Sequence, residues 1–506
     1  MDIDDSLRRS VAKKCINIRS KGYQHFDLPL RRAERKRLLS PGEKSFLTRK
    51  FVEDYRHFPL IRFDQRFNKY GKTDDNKSKH VYIKERPISI TSHHEALLLK
   101  YYAEMLSVRY EDYIQTQGIA DVPIAYRKEH SNISGAKEVF DFIWKSEDAW
   151  IIKGDFHAFF DCLDHRVLLR QVKTILTGTE NGRIPEDWMT VIRLVTKYRT
   201  VEQGELERVY RGSNDNHPYV QSITQFGNNV KAGKIHVSKS NKLGIPQGTA
   251  ISAVLANVYM ARFDKQVQDM AAKYGGIYRR YSDDFVIVIP KSHCSLSQVE
   301  QLRDLVINKS QRDLRVIINR TKTRLLDYSK ASQHVLDVAK RSKPFAKQIR
   351  NFDYLGFEFT GKTVILRSKT LYKFHYRGEK ALAILARGML ERKIVKLGRE
   401  QEYINSKMTA GQVRHATQRI AETKKAIASS HGVRGRKRFT QMYLVQKPLP
   451  KKNMYAYAKR AQEIMSIEIP GVDTMYGVHI EKKIQKEISK FQHYFGKKRD
   501  GVNQYS

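Results

Sequence analysis

Cysteine is scarce in this chain: three in 506 residues, Cys15, Cys162 and Cys294. Three cannot form a disulfide framework and their spacing suits no metal site, so a stapled secreted fold and a cysteine-held metal are excluded. A reduced, cytoplasmic setting fits. Long apolar runs are also missing. No stretch reaches the roughly 20 residues needed to span a bilayer, and the N-terminus has no apolar leader-like region. The expectation is a soluble protein with no membrane partner. Acidic residues are in deficit, with 94 Lys plus Arg against 54 Asp plus Glu and a net charge of +40. The deficit is uneven: residues 365–506 hold 31 basic and 11 acidic side chains, 31 − 11 = +20, half of the excess. Such a field attracts phosphate backbones and makes binding salt-dependent, although an excess alone can be a solvated surface. No internal repeat or low-complexity tract is present.

What the chain does have is Tyr281-Ser282-Asp283-Asp284, set in Gly276-Gly-Ile-Tyr-Arg-Arg-Tyr-Ser-Asp-Asp-Phe-Val-Ile-Val-Ile289. The run Phe285 to Ile289 is apolar and β-branched, as in a buried strand. The two carboxylates therefore fall at a hairpin tip. Packing gives no reason for adjacent like charges there, whereas a cation would neutralise them. Upstream, Trp150-Ile-Ile-Lys-Gly-Asp155 predicts an apolar strand ending on a carboxylate, followed by Phe156-His-Ala-Phe-Phe160-Asp161. Between these segments, Leu243-Gly-Ile-Pro-Gln247-Gly248-Thr-Ala-Ile-Ser252 is a glycine-bounded turn opening a helix. In that helix Ile251, Val254, Leu255, Val258 and Tyr259 predict one buried face. Downstream come Arg315-Val-Ile-Ile-Asn-Arg-Thr-Lys322-Thr323 and Phe352-Asp-Tyr-Leu-Gly-Phe-Glu-Phe359. His165 beside Asp164 reads as a helix start rather than a catalytic dyad.

These five segments, in this order, resemble motifs A to E of the reverse transcriptase palm, over roughly residues 80 to 365. The resemblance implies an α+β, right-hand polymerase fold, with fingers, palm and an α-helical, basic C-terminal thumb and extension. It also implies nucleotidyl transfer assisted by two Mg²⁺ ions about 3.5–4 Å apart, held by Asp155, Asp283 and Asp284. Hard cations of this kind take oxygen ligands from a few carboxylates and substrate phosphates. Phe160 matches the aromatic position beneath the incoming sugar, where it would clash with a 2′-hydroxyl; deoxynucleotides and a DNA product are favoured, unless the ring is simply core. Gln247 and Gly248 would lie under the templating base pair, glycine permitting close backbone approach. Lys322 is either a cation or proton donor near the leaving pyrophosphate, or a solvated lysine. Lys79-His-Val-Tyr-Ile-Lys84-Glu-Arg86 resembles the fingers strand that grips the triphosphate, and Ala125-Tyr126-Arg127 the second fingers motif. Arginine suits phosphate because its planar fork donates two bonds at once.

The organisation expected is a basic helical extension over 1–78, fingers over 79–150, a palm over 151–363 with a surface insertion at about 200–241, a helical thumb over 364–445 and a basic extension over 446–506. Within it, Leu30 to Leu39 predicts a basic helix, Lys69 to Lys77 a polar loop, His94 to Tyr110 a helix, Gln412 to Ser430 a helix, Gly432 to Arg438 a basic turn and Lys447 to Lys452 a linker.

The tail is too poor in acidic residues for a retroviral nuclease domain, and no Cys/His endonuclease module of the group II intron type is visible. Retron enzymes carry Val-Thr-Gly after motif D, whereas Phe359-Thr360-Gly361 follows motif E here. The run from Tyr354 to Tyr372, with Ser252-Ala253 where intron and retron enzymes have Ser-Pro, most resembles bacterial abortive-infection and defence-associated reverse transcriptases. That resemblance implies an RNA template, a dedicated noncoding RNA partner, deoxynucleoside triphosphates and a DNA product in antiphage defence. It leaves open a homo-oligomer, RNA priming, and priming from a protein hydroxyl such as Tyr505. The alternatives are an intron- or retron-type reverse transcriptase, an RNA-dependent RNA polymerase, and a catalytically silent RNA-binding scaffold.

Overall fold

A computed structural model describes the chain except residues 1–4, 19–21, 72–77, 79, 211–217, 221, 408, 429–432, 450–452 and 504–506. The chain divides into two compact units, one made of residues 1–129, 152–289 and 293–324, the other of 130–151, 290–292 and 325–506. The fold is α+β.

In the first unit, strands β1 (Leu60–Gly71) and β2 (His80–Ile90) form a long antiparallel ribbon, with register from Ile61↔Ile90 to Gly71↔His80. This corrects the expectation of basic helices and a loop over 1–78, which held no strand. Helices occupy Asp5–Ile16, Arg32–Leu38 and Arg49–Glu53, but Ile61, Phe63 and Phe67 alternate with period two, and the intervening charges hide that pattern in a composition-level reading. Strand β3 (Asp148–Asp155) enters this unit at Ile152.

Strand β4 (Thr200–Glu202) pairs in parallel with Leu60–Arg62. Here the surface-insertion expectation is corrected as well. Val201, Leu206, Tyr219, Val220, Phe226 and Ile235 share one core with Phe26 and Ile61, so the described residues of 200–241 form a packed layer with their own helices, Gln203–Val209 and Ile223–Lys231. Apolar residues spaced thinly among polar ones suffice once they converge in space.

The hairpin β5 (Ile277–Tyr281) and β6 (Asp284–Pro290) joins β3 in the order β5-β6-β3. Helix His93–Thr116 opens on a capping box, Ser92 Oγ accepting from the Glu95 amide while the Glu95 carboxylate accepts from the Ser92 amide. Helix Ala250–Ala272 begins where the glycine turn predicts. Its burial is broader than one face: Leu255 through Ala261 are all buried, with Val254 half-buried, as befits a central helix.

In the second unit, β3 is followed by β7 (Arg324–Ser329) and β8 (His334–Asp337). Strands β9 (Phe352–Tyr354), β10 (Phe357–Phe359) and β11 (Thr363–Leu366) form an antiparallel meander, and β12 (Gly477–His479) adds in parallel to β11. Phe140 of helix Asn132–Lys145 packs on Phe352 and Phe359 at ring centroids of 5.8 and 5.7 Å. The helical character expected after residue 364 is present in Ser368–Leu397, Ala410–Ala428, Val433–Tyr443, Met454–Met465 and Glu481–Asn503. The third of these corrects the basic turn at Gly432 to Arg438, where the backbone is helical from Val433. Gly378 lets the long helix meet the last one, since a Cβ there would lie 2.2 Å from the Phe491 ring. No helix among the described residues is long and apolar enough to cross a membrane.

Candidate active site

Asp155 is the last residue of β3, and Asp283 and Asp284 stand at the hairpin tip, Asp283 in the turn and Asp284 opening β6 opposite Tyr281. Both hairpin carboxylates are exposed and Asp155 is half-buried. Beyond the sheet pairing of β6 with β3, the Phe156 amide donates to the Asp283 carbonyl at 3.0 Å. Gly154 permits the approach, because a Cβ there would lie 2.5 Å from the Phe285 ring. On the other side of Asp155, its carbonyl accepts from the Asn319 amide at 3.2 Å, and Phe156 bridges Ile318. That turn delivers Lys322, whose Nζ is 3.5 Å from Asp155 Oδ2.

The tip is held from beneath by a charged cluster that the sequence motifs did not single out. Arg280 is fully buried and pairs with buried Asp264 at 2.7 Å, donates to Asn257 Oδ1 at 3.2 Å, and donates through Nη1 to the Ser282 carbonyl at 3.1 Å. Burial opposes its charge, but Asp264 more than offsets this and holds the guanidinium cationic. Asn257 Nδ2 donates in turn to the Ala125 carbonyl at 2.9 Å. The available sequence signal is a pair of opposite charges, Asp264 inside the largely apolar helix Ala250–Ala272 and Arg280 in β5.

Ser282 has φ 60°, the left-handed turn that brings Asp283 outward, and its hydroxyl is 3.0 Å from that of Tyr126. Tyr126 itself has φ 65°, although the residue is 51% exposed. A bulky side chain in that region costs on the order of 1–3 kcal/mol and persists only where the surroundings impose it. Arg127 supplies part of that constraint. It is turned to Glu111, with bonds of 2.8 and 2.6 Å, and to the carbonyls of Ala120 and Pro123.

Gly248, at φ 124°, backs onto β2: a Cβ would lie 2.7 Å from the Ser89 carbonyl, and the Ser89 amide donates to Gln247 O at 2.9 Å. The close approach anticipated for this glycine is thus to the strand that carries exposed Arg86. Gln247 Nε2 reaches Asp161 Oδ1 at 3.3 Å. Phe160 is half-buried beside the fully core Phe159, and its carbonyl accepts from the Ile245 amide. Asp164 caps helix His165–Thr177, the start expected from sequence. Burial would raise its carboxyl, but the amides of Val167 and Arg166 and the Arg315 guanidinium hold it below the usual range. His165 meets the Gly244 carbonyl at 2.7 Å. Lys79 and Tyr505 lie outside the described residues.

Among the described residues, no three His, Cys, Asp or Glu side chains converge into a ready ligand cage. The donors present are oxygen-only carboxylates on adjoining backbones, one of them already drawn to an ammonium. That chemistry fits a hard divalent cation completed by substrate phosphates.

A profile of the family described as "Reverse transcriptase (RNA-dependent DNA polymerase)" matches residues 76–359, more than half of the chain. Among curated proteins, "Protein YkfC" of Escherichia coli (strain K12) is 19% identical over 228 residues, covering 39% of this chain and 49% of that protein. The chain therefore spans about half the length of this relative. Among solved structures, apo telomerase from Candida tropicalis aligns over 88% of this chain and 68% of its own at 11% identity and a TM-score of 0.37. Telomerase from Candida albicans, in complex with a fragment of telomeric RNA, aligns over 89% and 67% at 10% identity and a TM-score of 0.35.

Proposed function

The chain belongs to the reverse transcriptase family, and on that premise we propose that it copies RNA into DNA at the Asp155, Asp283 and Asp284 carboxylates. The observation that carries this reading is the Phe156 to Asp283 backbone bond, which sets the carboxyl end of β3 against the hairpin tip. Members of the family generally use divalent metal ions; two Mg²⁺ ions are the finer proposal, held by these three carboxylates. When bound, they make a 3′-hydroxyl nucleophilic and neutralise the leaving pyrophosphate.

The other roles belong to the chain's own side chains. Lys322, beside Asp155, offers an ammonium that can shift to the pyrophosphate. Arg86, on the strand backed by Gly248, grips the triphosphate, with Lys79 as a second candidate; Arg127, engaged by Glu111, holds its own loop instead. Phe160 excludes a ribose 2′-hydroxyl, and Gln247 and Gly248 support the templating pair. Residues 79–150 then serve as fingers, 151–363 as palm and 364–445 as thumb. A dedicated noncoding RNA, antiphage defence and priming from RNA or Tyr505 complete the proposal, supported by Ser252-Ala253 and the run from Tyr354 to Tyr372.

The test is incorporation of labelled deoxynucleotides with magnesium by protein purified with its accompanying RNA. Parallel samples carry Asp283→Ala with Asp284→Ala, and Phe160→Ala. We expect DNA synthesis in the parent, none in the paired Asp variant at unchanged thermal stability, and ribonucleotide entry with Phe160→Ala. Label linked to protein or RNA identifies the primer. No incorporation, even on an added primed RNA template, would favour the scaffold reading.

A further inference from the structure

We propose that Tyr126 is a positioning residue of the catalytic hairpin, fixing through its hydroxyl the turn from which Asp283 projects. This rests on the reading of Asp155, Asp283 and Asp284 as metal ligands.

Among the described residues, three polar contacts beyond the strand pairing hold Ser282 and Asp283, each from a different segment. Arg280 Nη1 donates to the Ser282 carbonyl, the Phe156 amide donates to the Asp283 carbonyl, and the Tyr126 hydroxyl bonds Ser282 Oγ. The first two hold the carbonyls of the two successive peptides that flank the Asp283 Cα. Only the third holds the Ser282 side chain, and so the rotation about the left-handed residue that aims Asp283. Two carboxylates that share a cation must keep their spacing, and a turn free to rotate would lose it.

The loop carrying Tyr126 is built to keep this contact. The Arg280 amide donates to Val122 O and the Ile124 amide to Arg280 O, both at 2.8 Å, so the loop is laced along β5 itself. Asn257 holds the Ala125 carbonyl and Arg127 is clamped by Glu111. Between these fixed neighbours, Tyr126 adopts a backbone conformation that glycine would take without strain. The residue is half exposed, so burial does not explain a tyrosine at this position. Reach to Ser282 does.

The experiment compares the parent with Tyr126→Phe, Ser282→Ala, their double variant, Tyr126→Gly and Asp283→Ala. The readouts are Mn²⁺ binding by electron paramagnetic resonance, kcat and KM for a deoxynucleotide, and thermal melting. Tyr126→Phe and Ser282→Ala should each weaken Mn²⁺ binding about fivefold, the worth of one hydrogen bond. Each should lower kcat with KM little changed, and the double variant should be no worse than either single. Tyr126→Gly should melt no lower than the parent yet show the same losses, which a merely structural tyrosine would not. Parent-like binding and kcat in Tyr126→Phe, or losses that multiply in the double variant, would overturn the proposal. Asp283→Ala binding Mn²⁺ as tightly as the parent would instead remove the ligand assignment, and this inference with it.

Discussion

Arg280 carries five N–H donors, and its surroundings use them on Asp264, Asn257 and Ser282. In a chain so rich in cations, Arg280 stands three residues before Asp283, and the fold buries it completely. A buried pair adds little net stability over an apolar replacement, but breaking it strands a charge. Arg280→Met should therefore lower unfolding stability by about 3–5 kcal/mol, measured by urea denaturation. Arg280→Met with Asp264→Leu should recover most of that loss, because no lone carboxylate remains, while incorporation stays impaired through the freed Ser282 carbonyl. Equal destabilisation in the single and double variants would contradict this account. The same lesson applies to Arg127, whose sequence context suggests substrate and whose guanidinium is engaged by Glu111.

Between helices Asp5–Ile16 and Arg32–Leu38, residues 23–27 form a strap across the end of β2 and the start of helix His93–Thr116. Asp27 accepts from the amides of His93 and His94, Tyr23 stacks on His93 at 4.4 Å, and Tyr23 donates to Thr91 O. His25 fastens the centre. Its Nδ1 accepts from the Phe26 amide at 2.8 Å, which leaves the ring proton on Nε2 facing the Ile90 carbonyl at 3.2 Å. Burial pushes its pKa down to about 4 from an ordinary 6.5, against the pull of Asp27. A second proton would also set Nδ1–H against the Phe26 N–H. The unfolded chain thus binds a proton between pH 6.5 and 4 that the folded chain refuses. Stability from this group is complete above pH 6.5 and is lost as pH falls toward 4, by up to about 1.4 kcal/mol per pH unit. His25→Gln should remove that increment from the acid slope, measured by denaturation of both proteins at pH 7 and 5. Identical slopes would mean that His93, also lowered by burial, and the other acid-sensitive groups carry the whole effect.

The net charge of +40 acts on the molecule as a whole. If it serves an RNA template, affinity should fall about 10³–10⁵-fold between 50 and 200 mM salt for a protein contacting some 6–10 phosphates. Fluorescence anisotropy with a labelled RNA hairpin measures this, and salt-independent affinity would leave the excess without a role on phosphate. Elements with strong local signals were legible in the sequence: the β-branched run after Asp284, the glycine turn opening helix Ala250–Ala272, and the helical tail. Their causes lie within a few residues, in side-chain periodicity and backbone freedom. Strand β1 and the layer at 200–241 escaped, because their apolar residues are sparse and acquire meaning only when Phe26, Ile61 and Phe226 meet. The sequence by itself determined which carboxylates the chain presents and that two of them share a hairpin tip. Only the tertiary structure decided that Asp155 comes alongside, through Gly154 under Phe285 and Phe156 on Asp283, and that Arg280 and Tyr126 hold the tip in place. Such contacts join residues far apart in the chain, so their energy depends on packing that no local pattern encodes.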